Sequence, residues 1–231
     1  IQAISSRLKE DQITVVGNGS ACVVGGHAYV IKKGQRFITN SAVAAMGYDL
    51  PAAIGAWTAS RDSRCYSQGR DRSGEDLILV TGDGSIQMNL QELQTIIHHK
   101  MGIKIFLINN GGYHSIRQTQ KNFFGEPLIG IGVDSGDLSF PDMEKLAGAY
   151  GYPYIKAEHN SELAKAVEQT LAVEGPVICE IFVSMDQNFE PKSAAKRLPD
   201  GTLVSPPLED LSPFLPDEEM DRIMLIPRIK K

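Results

Sequence analysis

The chain is predicted to fold as a doubly wound α/β domain, a mostly parallel sheet with helices on both faces. Three observations carry this. Short, nearly continuous apolar runs such as Leu77–Thr81 and Lys104–Ile108 read as strands buried on both faces. Between these two runs the apolar residues recur at steps of three and four, the period of a helix. Each run stops at a glycine turn, so strand, helix and strand follow with short joints, as in a right-handed βαβ unit.

Taken in order, Ile13–Val16 is a strand that ends on Gly17-Asn18-Gly19-Ser20 and a small-residue segment. Such a turn lets backbone N–H groups approach a phosphate, or is simply a tight turn; both readings stand. The dinucleotide fingerprint is the rival. The spacing after Gly19 does not match it, and Phe37-Ile38-Thr39-Asn40, at the next strand end, has no acid for a ribose, which counts against a nicotinamide dehydrogenase. Asn40 to Ser60 reads as a loop and then a helix with Pro51 in its first turn. Arg61 to Asp76 is polar, mixed in charge and without period, a solvated loop with no assigned function.

After the strand Leu77–Thr81 and the turn Gly82-Asp83-Gly84-Ser85, Ile86, Leu90, Leu93, Ile97 and Met101 define one face of a helix of roughly 13 residues that stops at Gly102. His98 and His99 fall in its last turn as surface residues. Lys104–Ile108 is the next strand and Asn109-Asn110-Gly111-Gly112 its turn. A helix from Asp142 to Tyr150, a strand from Tyr152 to Lys156, a capped helix from Ser161 to Val173 and a strand from Val177 to Val183 complete the sheet. The domain is expected to span 1–184. Residues 185–231, rich in proline, read as an extended tail without a core of its own.

The two turns that flank the first βαβ unit carry the chemistry. Both leave the carboxyl ends of parallel strands. If those strands are neighbours, about 4.8 Å apart, Asp83 and Asn110 face one small object. A carboxylate, an amide oxygen and a backbone carbonyl freed by glycine form a sparse, hard donor set, which suits Mg²⁺ with its remaining positions left to water and phosphate. The helix starting near Ser85 directs N–H groups to the same place, favourable for an anion. A metal bridging protein to a diphosphate is one reading; a helix-capping turn and a plain loop, without ligand, is the other.

GDGS followed at this distance by NN resembles the thiamine-diphosphate (ThDP) motif. FITNSAVAAMGYDLPAAIGAW and GDGSIQMNLQELQT resemble specifically the acetolactate synthase family and its near relatives, over a stretch from about Ile13 to Val183. The resemblance implies the pyrophosphate-binding domain of that fold, with Mg²⁺ on Asp83, Asn110 and the Gly112 carbonyl. It puts Gly19, Ser20 and Ala21 against the diphosphate, with Gly82, Gly84, Ser85, Tyr113 and His114 also at the cofactor. Met46 takes the place of the bulky residue beneath the cofactor's central ring, against the alternative of ordinary core filling. Ala44 would offer its carbonyl to the pyrimidine amine. His114, Gln118 and Thr119 are the candidate substrate contacts, His114 having an exposed loop position as its alternative. Thr119 departs from the acetolactate synthases, which usually carry tryptophan there.

By the same resemblance the enzyme is a transferase: the cofactor attacks the ketone of a 2-ketoacid such as pyruvate, CO₂ leaves, and the acyl unit passes to an acceptor carbonyl. The catalytic glutamate belongs to a separate pyrimidine-binding domain, normally of a neighbouring subunit in a homodimer or homotetramer, and some relatives also bind FAD. Nothing in the sequence matches that domain. With Ile1 rather than Met at its start, the chain is expected to be a C-terminal portion of a longer enzyme, or one subunit of a split one. Three functions stay open: an acetolactate synthase, a carboligase using a larger acceptor such as a keto-sugar, and a non-catalytic module binding Mg²⁺ and ThDP.

A net charge of −5 gives no reason to expect nucleic acid or an anionic membrane, and no apolar run is long enough to span a bilayer. Cys22, Cys65 and Cys179 are odd in number and lack C-x-x-C spacing, which points to thiols in a reducing, cytoplasmic compartment.

Overall fold

In the computed structural model, which describes residues 1–62 and 75–228, six strands form one sheet in which every pairing is parallel. They are β1 (Ile13–Val16), β2 (Arg36–Thr39), β3 (Leu77–Gly82), β4 (Ile103–Asn109), β5 (Tyr154–Ala157) and β6 (Val177–Phe182), in the order β2-β1-β3-β4-β6-β5. The chain leaves β1 in one direction towards β2 and then crosses back to β3 on the other side. A switch of this kind parts the connecting loops and opens a crevice at the carboxyl ends of β1 and β3.

Strand residues alternate between two cores. Leu77, Leu79, Ile103, Ile105 and Leu107 face α3 (Asp49–Arg61), α5 (Glu92–His98) and α7 (Met143–Tyr150), through Leu50, Ala53, Leu93, Ile96, Met143 and Ala147. Ile78, Val80, Phe106 and Ile108 face the opposite layer, in which Ile4 of α1 (Gln2–Ser5), Ala21 of α2 (Ser20–Ala28), and Ala166 and Val167 of α8 (Asn160–Ala172) are buried. Lys104 also lies in β4 and is fully buried. Its ammonium donates to the carbonyls of Val173 and Gly175 beyond the end of α8 and pairs with Asp76 at 3.2 Å. A buried charge is tolerated there because it is paired and hydrogen-bonded.

Several elements differ from expectation. The single helix expected after Gly82 is broken into α4 (Asp83–Ile86), a 3-10 turn (Gln87–Asn89) and α5. Its apolar face survives, with Ile86, Leu93 and Met101 buried, but its axis does not. The reason is local anchoring: Ser85 Oγ accepts the Gly47 N–H at 3.0 Å and Asn89 Nδ2 donates to the Gly47 carbonyl at 2.6 Å, which pulls both turns onto the loop before α3. The small-residue segment after Gly19 is the helix α2, and the segment after Tyr113 is α6 (His114–Phe123). Asp142 caps α7 by accepting the Lys145 N–H, and His159 and Glu162 form a capping box on α8.

The chain divides into a unit of Ile1–Gln187 and a second of Asn188–Lys231. The second unit contains a two-residue antiparallel pair, Lys196–Arg197 with Leu203–Val204, and a short helix, Asp217–Ile223, whose Asp217 and Asp221 accept from Arg228. No helix among the described residues is long and apolar enough to cross a membrane. Cys22 and Cys179 are free thiols; Cys65, like most of the polar stretch from Arg61 to Asp76, lies outside the described residues.

Candidate functional site

At the carboxyl ends of β1, β3 and β4 lies a cavity of about 230 Å³ bordered by three turns. Asn18, Gly19 and Ser20 follow β1, Gly82 to Ser85 follow β3, and Asn110 and Gly112 follow β4. Pairing between β3 and β4 runs in register as far as Gly82 and Ile108, so the acidic and the amide turn start side by side on one rim.

Asp83 is 2% exposed. One carboxylate oxygen accepts the N–H of Gly84 at 2.9 Å; the other accepts the N–H of Gly112 at 2.8 Å. Burial pushes its pKa up to about 6, against the opposing pull of these N–H groups and of the Arg117 charge. Asn110 donates its amide N–H to Ser20 Oγ at 2.8 Å, which ties the β4 turn to the start of α2. Its Oδ1 is buried without a hydrogen-bond partner among the described residues. An orphaned amide oxygen near a buried carboxylate is costly unless a hydrogen-bond donor, an ordered water or a cation completes it.

Two glycines are forced by this geometry. A Cβ on Gly84 would fall 2.4 Å from Tyr113 Cε1, so the Tyr113 ring lies directly on that backbone. Gly112 has φ +145° and crosses Gly132 in an isolated antiparallel bridge; a Cβ there would fall 2.1 Å from the Ile131 carbonyl oxygen. The Gly112 carbonyl accepts the His114 N–H at 3.1 Å and keeps a second lone pair.

Residues 17–181 match the family described as thiamine pyrophosphate enzyme, C-terminal TPP binding domain. The chain belongs to this family. It is 34% identical over 160 residues to the acetolactate synthase large subunit of Cyanidium caldarium, covering 69% of this chain and 25% of that protein. Against the large subunit of Porphyra purpurea the identity is 33% over 162 residues, 70% and 25% of the two chains. Against the chloroplastic acetolactate synthase 2 of Nicotiana tabacum it is 30% over 194 residues, 78% and 27%. The chain thus spans about a quarter of the length of these curated relatives.

Within this TPP-binding domain the other expected positions fall as follows. Ala44 and Met46 border the cavity from the loop before α3; Ala44 holds φ +54°, uncommon for a residue with a Cβ, and Met46 is 39% exposed. Ala21 packs into the core beneath α2, so towards the cavity it has only its first-turn backbone to offer. His114 lines the cavity but is 5% exposed, with both ring nitrogens engaged. Nε2 lies 2.6 Å from the Gln187 carbonyl and so donates; Nδ1 lies 3.3 Å from Arg117 Nη1 and so accepts, which fixes a neutral tautomer. Gln118 is buried on the same side of α6 as His114 and Arg117. Thr119 is exposed and donates to the Ser115 carbonyl at 3.0 Å, one turn along from Ser115 and Ile116, which line the cavity.

Sequence reasoning missed Asn18, Ser115 and Ile116 as cavity residues, and it missed Asp49 altogether. Asp49 is fully buried at the start of α3, where its carboxylate accepts the Leu50 N–H at 3.1 Å and the Thr81 hydroxyl. A Cβ on Gly17 would stand 2.5 Å from its Oδ2. Asp49 is therefore wedged between the turn after β1 and the last residues of β3. The only signal for it in the sequence is a carboxylate inside an otherwise apolar helix start.

Proposed function

We propose that this domain binds ThDP through a Mg²⁺ ion and forms half of the active site of a carboligase acting on a 2-ketoacid. Asp83 would supply the charged ligand, Asn110 Oδ1 the amide ligand and Gly112 a carbonyl, with Gly19 and Ser20 at the diphosphate. One observation carries the reading: among the described residues Asn110 Oδ1 is buried and unpartnered, and Asn110 lines the same cavity as the buried Asp83. Two or three hard oxygen donors with one charge fit Mg²⁺, which retains water and phosphate oxygens in its shell. The nearby N–H groups and the start of α2 favour a diphosphate.

When bound, ThDP supplies the electron sink for decarboxylation of the 2-ketoacid and transfer of the acyl unit. The chain's own residues do the holding. Ser20 and Ser85 fix the turns through their hydroxyls, Tyr113 covers Gly84, and the neutral His114 forms a wall of the cavity rather than a proton donor. Met46, half-exposed beside the cavity, is the candidate support under the thiazolium ring. In this reading a pyrimidine-binding domain carrying the catalytic glutamate, from a neighbouring subunit of a homodimer or homotetramer, completes the site, and any FAD would sit outside this chain. Free thiols at Cys22 and Cys179 accord with a reducing, cytoplasmic setting.

Thr119 favours a second reading of the acceptor. A small exposed side chain on the cavity-lining side of α6 leaves room for something larger than pyruvate, such as a keto-sugar. Titration of the chain with ThDP at fixed Mg²⁺, by calorimetry, tests the binding step: saturable binding that is lost with EDTA and in Asp83→Ala supports it, and Mg²⁺-independent or absent binding overturns it. Turnover in the presence of a pyrimidine-binding domain then separates the carboligase from a purely binding module. Acetolactate formed from pyruvate alone would favour the small acceptor.

A further inference from the structure

Arg117 is 1% exposed and lies behind the amide turn; it does not itself line the cavity but bonds Asn110 and His114, which do. Its five N–H donors are fully used. Nε and Nη2 grip the two carboxylate oxygens of Asp134 at 2.8 and 2.9 Å. Nη2 also donates to the Gly111 carbonyl at 3.1 Å, and Nη1 to the Asn110 carbonyl and His114 Nδ1, both at 3.3 Å. One planar group therefore fixes the backbone of the two residues that precede Gly112, the ring of the residue after Tyr113, and a carboxylate 17 residues further along the chain.

The segment that supplies Asp134 is itself sewn to the turn. Tyr113 N–H donates to Ile131 carbonyl at 2.7 Å, and Val133 N–H donates to Gly111 carbonyl at 3.3 Å. Gly132 has no side chain where a Cβ would lie 2.1 Å from the Gly111 carbonyl oxygen and 3.0 Å from Arg117 Nη2. Ser135 and Asp137 close the segment on the N–H groups of residues 130 to 132. Without this frame the glycine pair at 111 and 112 has no reason to hold one conformation, since glycine loses the most freedom on ordering.

We propose that Arg117 and Asp134 are positioning residues for the metal: the guanidinium bracket sets the Asn110 side chain and the Gly112 carbonyl at the geometry a divalent cation requires. This rests on the Mg²⁺–ThDP reading above. Groups that hold ligands in place affect metal affinity by roughly 10- to 100-fold when removed. A lysine cannot reproduce the fork, because its three ammonium donors cannot replace the five planar donors that grip both Asp134 oxygens, the Asn110 and Gly111 carbonyls and the His114 ring.

The test measures, on the 231-residue chain, the Mg²⁺ concentration that gives half-maximal ThDP binding, together with thermal unfolding in EDTA. Arg117→Lys and Asp134→Asn are expected to raise that concentration about tenfold or more, while saturating Mg²⁺ restores full ThDP binding. Asp134→Glu, which keeps the bidentate pairing chemistry, recovers part of the loss. An unchanged Mg²⁺ requirement in both variants, with a lowered unfolding temperature, reduces the bracket to a structural brace and overturns the proposal. If the parent chain itself binds no ThDP with Mg²⁺, the functional reading falls and the proposal falls with it.

Discussion

The Asp83 carboxylate accepts the Gly112 N–H at 2.8 Å across two neighbouring parallel strands. This bond joins the acidic turn after β3 to the amide turn after β4, and it forms only because both turns leave the same edge of the sheet. The charged end of Asp83 thereby stays in a buried place that water would otherwise solvate. Its cost shows in the acid–base behaviour of the group.

That cost gives a pH dependence with a definite sign. Burial raises the Asp83 pKa from 3.8 to about 6, so the folded chain holds the proton more tightly than the unfolded one. The associated stability is present at low pH and is lost as pH rises through about 6, amounting to roughly 3 kcal/mol. Denaturant unfolding in EDTA between pH 4 and 7 should show the parent chain losing about this much relative to Asp83→Asn. Mg²⁺ with ThDP at pH 7 should restore stability to the parent only, since metal binding requires the deprotonated carboxylate. A constant difference between the two chains across this range would contradict the buried charge.

Much of this arrangement was legible before the structure. Leu77–Thr81 and Lys104–Ile108 read as doubly buried strands because they are apolar without alternation, and the motif turns had to follow them. The helix α2 was not legible. Val23, Val24, Gly25 and Gly26 are poor helix formers, and the segment folds because Gly25 packs on the sheet, where a Cβ would meet the Phe37 ring at 3.1 Å. The break between α4 and α5 depends on Gly47, some 40 residues upstream, which no local period encodes. Arg117 with Asp134, and Asp49 with Thr81, are likewise tertiary pairs that appear only when distant elements meet.

Gly17 and Asp49 provide a test of the wedge at the switch point. A methyl on Gly17 would meet Oδ2 of Asp49 at 2.5 Å and its Cβ at 3.0 Å. Gly17→Ala is expected to destabilise by about 2–3 kcal/mol through overpacking. Asp49→Ala should also destabilise, because it removes the acceptor of the Leu50 N–H and leaves the Thr81 hydroxyl only the Gly82 carbonyl at 3.5 Å. The double variant should be more stable than the sum of the two by about 1 kcal/mol or more. Simple additivity in a double-mutant cycle would show that the two residues do not press on each other.

Gly84 and Gly112 should respond differently to the same change. At Gly84 the obstacle is the Tyr113 ring, a side chain, so Gly84→Ala loses ThDP binding and stability but regains both in part when Tyr113→Ala is added. At Gly112 the obstacle is the Ile131 carbonyl, at 2.1 Å, and the backbone already stands at φ +145°. Gly112→Ala is expected to cost more than about 4 kcal/mol, the range of exceptional single substitutions, with no recovery from changes at Tyr113. Unfolding midpoints of the four variants decide the point; equal rescue at both glycines would refute it.

Thr119 separates holding the cofactor from choosing the acceptor. Its hydroxyl bonds the Ser115 carbonyl of its own helix, and its side chain is exposed one turn from Ser115 and Ile116 at the cavity. Thr119→Trp places an indole where acetolactate synthases usually carry one without touching Asp83, Asn110 or the bracket behind them. Unfolding free energy should move by no more than about 0.5 kcal/mol, as for most surface substitutions, and the affinity for ThDP with Mg²⁺ should stay within about twofold. With a complementing pyrimidine-binding domain, the ratio of kcat/KM for pyruvate over a keto-sugar acceptor should rise, because a filled mouth excludes the larger substrate while a small one still enters. Discrimination by added bulk of this kind is typically 10- to 200-fold. A change in ThDP affinity with no change in that ratio would place Thr119 at the cofactor instead, and would remove the reason to expect a large acceptor.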